Sequence, residues 1–195
     1  MKAHNLLLTP FGKKLIRQHN GNVITLRSNT RWCSDGFCIT CDNGDRVSVA
    51  FSLDTCDREA MRYVASTKGV DGEMIRDLMI ESVEYRFGDV DKMPGPIQWL
   101  SDNGPCYTAR KTVALGRALG FEVWTTAPYS PESNGMAEAF VKTFKRDYVC
   151  FGDLSNAEIV MKQLPAWFED DNEHAPHKGL KMRSPRQFIK EGILV

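Results

Sequence analysis

Asp102 and Glu138 have thirty-five residues between them, and each sits in an unusual neighbourhood. The first reads Trp99-Leu100-Ser101-Asp102-Asn103-Gly104-Pro105, the second Ser130-Pro131-Glu132-Ser133-Asn134-Gly135-Met136-Ala137-Glu138. A third acid, Asp35, stands upstream within Arg31-Trp32-Cys33-Ser34-Asp35-Gly36-Phe37. Carboxylates at strand ends and on a helix suit one chemistry above others: holding divalent metal ions over a phosphodiester. Cleavage or transfer there requires an activated nucleophile and a stabilised leaving oxygen, both beside a repelling anion. Two ions about 3.5–4 Å apart meet both needs, and Mg²⁺ is commonly held by a few carboxylates plus water and phosphate oxygens. Zinc held by histidines is poorly supported, because His4, His19, His174 and His177 all lie near the termini.

Each acid also has a structural account. Asp102-Asn103-Gly104 would make an ordinary turn. Glu138 would pair with Lys142 on a helix surface for a few tenths of a kcal/mol. Asp35 is harder to explain this way, since a carboxylate in a strand between Trp32 and Phe37 needs a partner or a metal. On residue types alone both accounts stand.

The elements that must position these acids follow from periodicity. Residues 31–41 are rich in aromatic, β-branched and cysteine side chains and predict a strand. Asp42-Asn43-Gly44-Asp45 predicts a hairpin turn. On the return, Val47, Val49, Phe51 and Leu53 alternate with Arg46, Ser48, Ala50 and Ser52, which predicts a strand with one buried face. A weaker third strand is expected over 61–65. Asp71 is a good N-cap, and Met74, Ile75, Leu78, Met79 and Val83 then repeat at helical intervals up to a glycine stop at Gly88.

Ile97-Gln98-Trp99-Leu100 reads as a short buried strand with Asp102 just past its end. Residues 108–119 read as a helix closed by Gly120, and residues 121–125 as another strand. After Pro128 and Pro131 a longer helix begins, capped by Ser133 or Asn134. On it Glu138, Lys142, Lys145 and Arg146 share one face, while Phe140, Val141, Phe144 and Tyr148 supply packing surface. A last helix is expected over 155–171. Residues 176–186, with His177, Lys178, Lys181, Arg183 and Arg186, are expected to be basic and irregular.

This order predicts an α/β fold with a mixed sheet of about five strands flanked by helices. If the strand bearing Asp35 neighbours the strand ending at Asp102, the two acids meet and the helix bearing Glu138 can cross above them. Sequence alone does not fix that strand order.

The chain's 195 residues and 42% hydrophobic content suit one packed domain. No stretch is long and apolar enough for a signal core or membrane span, so the expectation is a soluble cytoplasmic protein. Net charge is zero, yet residues 1–34 contain no acid and carry Lys2, Lys13, Lys14, Arg17, Arg27 and Arg31. Two readings of that asymmetry stand: a basic arm lying against phosphates, or a solvated leader. Cys33, Cys38 and Cys41 lack the spacing of a zinc site, and a regular strand would send Cys38 to the face opposite the other two.

Asp102-Asn103-Gly104-Pro105 and the later Ser130-Pro131-Glu132-Ser133-Asn134-Gly135-Met136-Ala137-Glu138 together resemble the integrase-like, DDE-type catalytic domain of bacterial insertion-sequence transposases. Retroviral integrases share that plan. The resemblance extends over about 20–188 and takes in Trp32 before Asp35, the basic helix from Phe140 to Tyr148, and Ser184-Pro185-Arg186-Gln187-Phe188. It implies an RNase H-like fold and an acid triad of Asp35, Asp102 and Glu138 binding Mg²⁺ or Mn²⁺. It also implies a reaction in which water cuts a transposon end and the freed 3′-hydroxyl attacks a second phosphodiester. The family's acid follows Ser-Asn-Gly by three positions, which selects Glu138 over Glu132. The resemblance makes Lys142, Lys145 and Arg146 DNA contacts near the cut, with Asn103, Gly104, Ser133 and Asn134 shaping the rim against DNA.

Two departures stand out: Gly36-Phe37 replaces an isoleucine-threonine pair common after the first acid, and His177-Lys178-Gly179-Leu180 replaces a more usual His-Ser-Ala-Leu. The implied layout is a basic N-terminal arm or linker (1–30), an RNase H-like catalytic core (31–175) and a basic C-terminal tail (176–195). The implied partners are double-stranded DNA, a helix-turn-helix chain or N-terminal region that recognises the element's ends, and further copies of the chain on DNA. The implied location is cytoplasmic, nucleoid-associated when DNA is bound. The alternative readings are a transposase remnant that binds DNA without autonomous activity, and a related RNase H-like nuclease.

Overall fold

The computed structural model describes residues 25–126 and 134–192; most of the basic arm, together with Glu132 and Ser133, lies outside the described residues. Three antiparallel strands come first: β1 (Arg31–Thr40), β2 (Arg46–Asp54) and β3 (Ala60–Ser66). The first turn closes as its residue types demand. Asn43 Oδ1 accepts the Asp45 N–H at 3.0 Å, and Gly44 takes φ +89°, a backbone region other residues avoid. Cys33, Phe37 and Ile39 of β1 enter one core while Trp32 enters the other, as the strand's alternation requires. All six cysteines are free thiols.

α1 (Gly72–Phe87) begins at Asp71, whose side chain accepts the Glu73 and Met74 N–H groups, and ends at Gly88 with φ +79°. Its buried residues Ile75, Leu78, Met79 and Val83 pack beneath the sheet on Trp32, Trp99 and Phe121. This corrects the expectation of a single buried face on β2. Ala50 and Ser52 on its other face are also buried, because α1 covers them. The Ser52 and Ser82 hydroxyls bond at 2.6 Å, and the Ser82 hydroxyl donates to the Leu78 carbonyl at 2.5 Å, so both buried hydroxyls are satisfied within the layer.

β4 (Ile97–Ser101) and β5 (Phe121–Thr125) complete a mixed sheet in the order β3-β2-β1-β4-β5, with β1, β4 and β5 parallel. The helix expected over 108–119 is instead two pieces, α2 (Pro105–Thr108) and α3 (Arg110–Ala118). Pro105, with φ already set for a helix, starts α2 early, and Ala109 between the pieces is extended at φ −54°, ψ 134°. Tertiary contact decides this break: Tyr107 turns inward and is buried.

The opposite face of the sheet carries α4 (Gly135–Asp147) and α5 (Ala157–Glu173). Phe37 and Phe51 from the sheet meet Phe140 and Phe144 of α4 and Phe168 of α5, with ring centres 4.6–6.2 Å apart. Residues 176–186 are not irregular. A 3₁₀ turn at Lys178–Leu180 leads into α6 (Pro185–Glu191), which Ser184 starts with a reciprocal capping box to Gln187. Leu180 and Phe188 are buried with Cys56, and Arg186 is held by Glu59, Glu169 and Glu173. No helix among the described residues is long and apolar enough to cross a membrane.

Phe144 is fully buried and packs on five other aromatic rings, so it anchors α4 to the sheet. Phe144→Ala is expected to lower unfolding stability by about 3–5 kcal/mol. Urea denaturation measures this, and a loss under about 1 kcal/mol would show that α4 is anchored elsewhere.

Candidate active site

β1 and β4 are neighbours and parallel, paired from Arg31↔Gln98 to Cys33↔Leu100. Asp35 lies two residues beyond Cys33, and Asp102 lies two residues beyond Leu100. Even spacing keeps each acid on the face of its neighbour in the pair, and Cys33 and Leu100 both belong to the core under α4. Ala137 at the start of α4 is buried in that core, and Glu138 is the exposed residue after it. The adjacency expected of the two acid-bearing strands is thus present.

Asp35 registers the charge of the other two acids. Burial pushes the Asp35 carboxyl above its usual range, the Gly36 N–H at 2.7 Å pulls it back, and the charges of Asp102 and Glu138 push it up again. Asp35 thus feels both other carboxylates. Among the described residues, no three His, Cys, Asp or Glu side chains converge on a single ion position.

Local turn chemistry aims Asp102. Its Oδ1 accepts the Gly104 N–H at 2.9 Å, closing a small Asx turn. A Cβ at residue 104 would lie 2.9 Å from that same oxygen, so the carboxylate has this position only because Gly104 has no side chain. Asn103 donates its amide to the Thr126 carbonyl at 2.8 Å, tying the Asp102 loop to the chain leaving β5. Gly36, which departs from the family's usual isoleucine, gives Asp35 its backbone donor.

Behind the acids runs a polar link that sequence reasoning missed. The Ser34 and Tyr107 hydroxyls bond at 2.9 Å, and the Asn134 amide donates to the Ser34 carbonyl at 3.3 Å. One residue of β1 thereby joins α2 and the start of α4. Tyr107 is buried, which pushes its phenol above the usual range. The available signal was Ser34, a lone hydroxyl in an apolar stretch beside Asp35. Asn134, expected on the rim, lies inside it at 4% exposure, and it spends its amide on Ser34 rather than on capping the helix.

The expected basic face of α4 is divided. Lys142 is exposed. Lys145 is half-buried with its ammonium 5.7 Å from the centre of the Phe37 ring. Arg146 is exposed but forms a two-pronged pair with adjacent Asp147 at 2.5 and 2.7 Å. A double-mutant cycle on Ser34→Ala and Tyr107→Phe is expected to give a coupling of about 1 kcal/mol in unfolding stability. Additive effects would dissolve the link between β1 and α2.

Family models described as "Integrase core domain" match residues 26–131 and 119–185. The chain is 48% identical over 176 residues to an uncharacterized 48.2 kDa protein of insertion element IS2A from Escherichia coli, covering 90% of this chain and 41% of that protein. It is 47% identical over 175 residues to the transposase InsD for insertion element IS2A/D/F/H/I/K of E. coli, covering 90% of this chain and 58% of InsD. InsD of insertion element IS2E, at 47% identity, is covered over 80% of its length. The chain thus spans about half the length of two of these relatives.

Among solved structures, a chain of the simian T-cell lymphotropic virus intasome matches with TM-score 0.69 and 18% identity, over 86% of this chain and 56% of that one. The HTLV-2 integrase catalytic core domain in complex with magnesium, in its dimeric form, matches with TM-score 0.61 and 12% identity over 86% and 99%. The Mos1 transposase catalytic domain with Raltegravir and Mg matches with TM-score 0.57 and 21% identity over 72% and 71%. At such identities the likeness is one of fold, and the fold is RNase H-like. The chain belongs to the integrase core domain family, alongside the InsD proteins of IS2 insertion elements.

Proposed function

We propose that this chain is the catalytic domain of a transposase: a metal-dependent strand-transfer enzyme that cuts transposon ends and joins their 3′-hydroxyls to target DNA. One observation carries the reading above the others. Asp35 on β1 and Asp102, just past the end of the neighbouring parallel β4, each lie two residues beyond the paired Cys33 and Leu100, beneath the helix that bears Glu138. The relatives named transposases and the magnesium named with two of the structural neighbours agree with it.

In this proposal Asp35, Asp102 and Glu138 hold Mg²⁺ or Mn²⁺. The metal would supply charge stabilisation at the attacking and leaving oxygens of the phosphodiester. The chain fits such a cation because Asp102 and Glu138 already push Asp35 toward protonation, a strain that positive charge relieves. Gly36 and Gly104 fix the two aspartates through backbone donors, and Asn103 holds the loop beside β5. Lys142 and Lys145 would bind the DNA backbone next to the cut. Arg146, already paired with Asp147, contributes less, and Asn134 works from within by setting the start of α4 on Ser34.

The partners in this reading are double-stranded DNA, further copies of the chain on it, and an end-recognising helix-turn-helix from a partner chain or a preceding region. The basic arm of residues 1–30 would add backbone contact, with residues 31–175 as core and 176–195 as a basic extension.

Asp102→Asn and Glu138→Gln are each expected to cut Mn²⁺-dependent nicking and joining of DNA ends by at least about a hundredfold, since even partners that only orient metal ligands cost 10–100-fold. The circular dichroism spectrum should be unchanged. Activity retained in either variant would remove that residue from the site. Lys142→Ala is expected to lower the slope of log affinity against log salt by about 1, with Arg146→Ala lowering it less. An unchanged slope in Lys142→Ala would reject its contact with phosphate.

A further inference from the structure

Trp124 is 53% exposed, a large apolar side chain in water on strand β5. The other three tryptophans are withdrawn, Trp32 and Trp99 completely and Trp167 in part. A large ring in water on a strand is a poor use of apolar surface unless something covers it. Its place says what that is. Trp124 is paired with Leu100 in the parallel ladder, so its side chain shares the face of the sheet that carries α4 and Glu138.

The connection to Asp102 is short. Leu100 precedes Asp102 by two residues, and Trp124 precedes Thr126 by two. The Thr126 carbonyl holds the amide of Asn103 at 2.8 Å, so the end of β5 is tied to the Asp102 loop. The cations of the site lie elsewhere, on α4. Glu122, exposed on the same side of β5 as Trp124, would repel a phosphate. What Trp124 offers is an uncharged, flat, apolar face at the border of an acidic site.

We propose that Trp124 is a stacking platform for an unpaired nucleobase of the DNA strand held at Asp35, Asp102 and Glu138. This rests on the function proposed above and adds to it a base-binding subsite. A base within a duplex has both faces covered by its neighbours, and only an unpaired base has a face free for an indole. The lysines of α4 would hold the backbone, while Trp124 takes a base that has left the stack near the cut. Stacking reads the aromatic face and not the base's edge, so the subsite tolerates any base.

The test uses the full chain in EDTA with two oligonucleotides: a blunt duplex, and the same duplex with three unpaired bases at one end. Wild-type tryptophan emission is expected to be quenched by the unpaired end and little by the blunt one. Trp124→Ala should bind the unpaired-end duplex about tenfold more weakly and the blunt duplex unchanged. Trp124→Phe should keep the affinity while losing the quenching, and Trp124→Leu should behave as alanine does. Equal affinities of wild type and Trp124→Ala for the unpaired end would overturn the subsite while leaving the metal-site reading to the Asp102 and Glu138 variants. A change in oligomeric state of Trp124→Ala without DNA, with DNA affinity unaltered, would assign the ring to an interface between copies and overturn it as well. A wild-type chain that binds neither duplex would overturn the subsite and leave the metal-site reading to the Asp102 and Glu138 variants.

Discussion

Asp102 and Glu138 both repel Asp35, and the packing of sheet and helices holds Asp35 against that repulsion. Its carboxyl is pushed toward protonation by burial and by the two other charges. A flexible surface would let such groups drift apart. Here Asp35 rides on β1, Asp102 sits in the turn that follows its parallel neighbour β4, and Glu138 rides on a helix held by rings. The cost is met by burial on both sides of the sheet, since stacked helices let β1 and β2 contribute apolar residues in both directions.

A second set of charges braces the far end of β2. Asp54, Asp57 and Glu59 are all buried around Arg86, at 3.7, 3.3 and 3.2 Å. Burial and the Asp57 charge push the Asp54 carboxyl up to about 6 against the pull of Arg86. Asp54 also accepts the Trp32 indole N–H at 3.1 Å, which fixes the residue three positions before Asp35. Glu59 then meets Arg186 of α6, so the last helix is tied to the sheet through the same network. Removing one partner from such a cluster would leave an uncompensated buried charge, which makes it a rigid brace rather than a surface ornament.

Much of the site was legible because short-range rules act at its most distinctive residues. Asp-Asn-Gly reads as an Asx turn and is one, with Gly104 required by the carboxylate it contacts. Asp71 and Gly88 bound α1 as their side-chain chemistry requires. The misreadings share one cause. The second buried face of β2, the break at Ala109, the inward turn of Asn134 and the ordered segment before α6 each depend on a neighbour distant in sequence. Local pattern carries no record of Ser82 above Ser52 or of Ser34 beneath Tyr107 and Asn134.

By itself the sequence determined the acids, their turn and helix settings, the five strands and the family resemblance, because periodicity, capping and glycine geometry act within a few residues. Only the tertiary structure decided that β1 lies beside β4, that α4 crosses the face bearing both aspartates, and that Trp124 faces water next to them. Strand order and layer packing are set by long-range burial, where many weak contacts between remote segments must be satisfied together. No short stretch of sequence contains that sum.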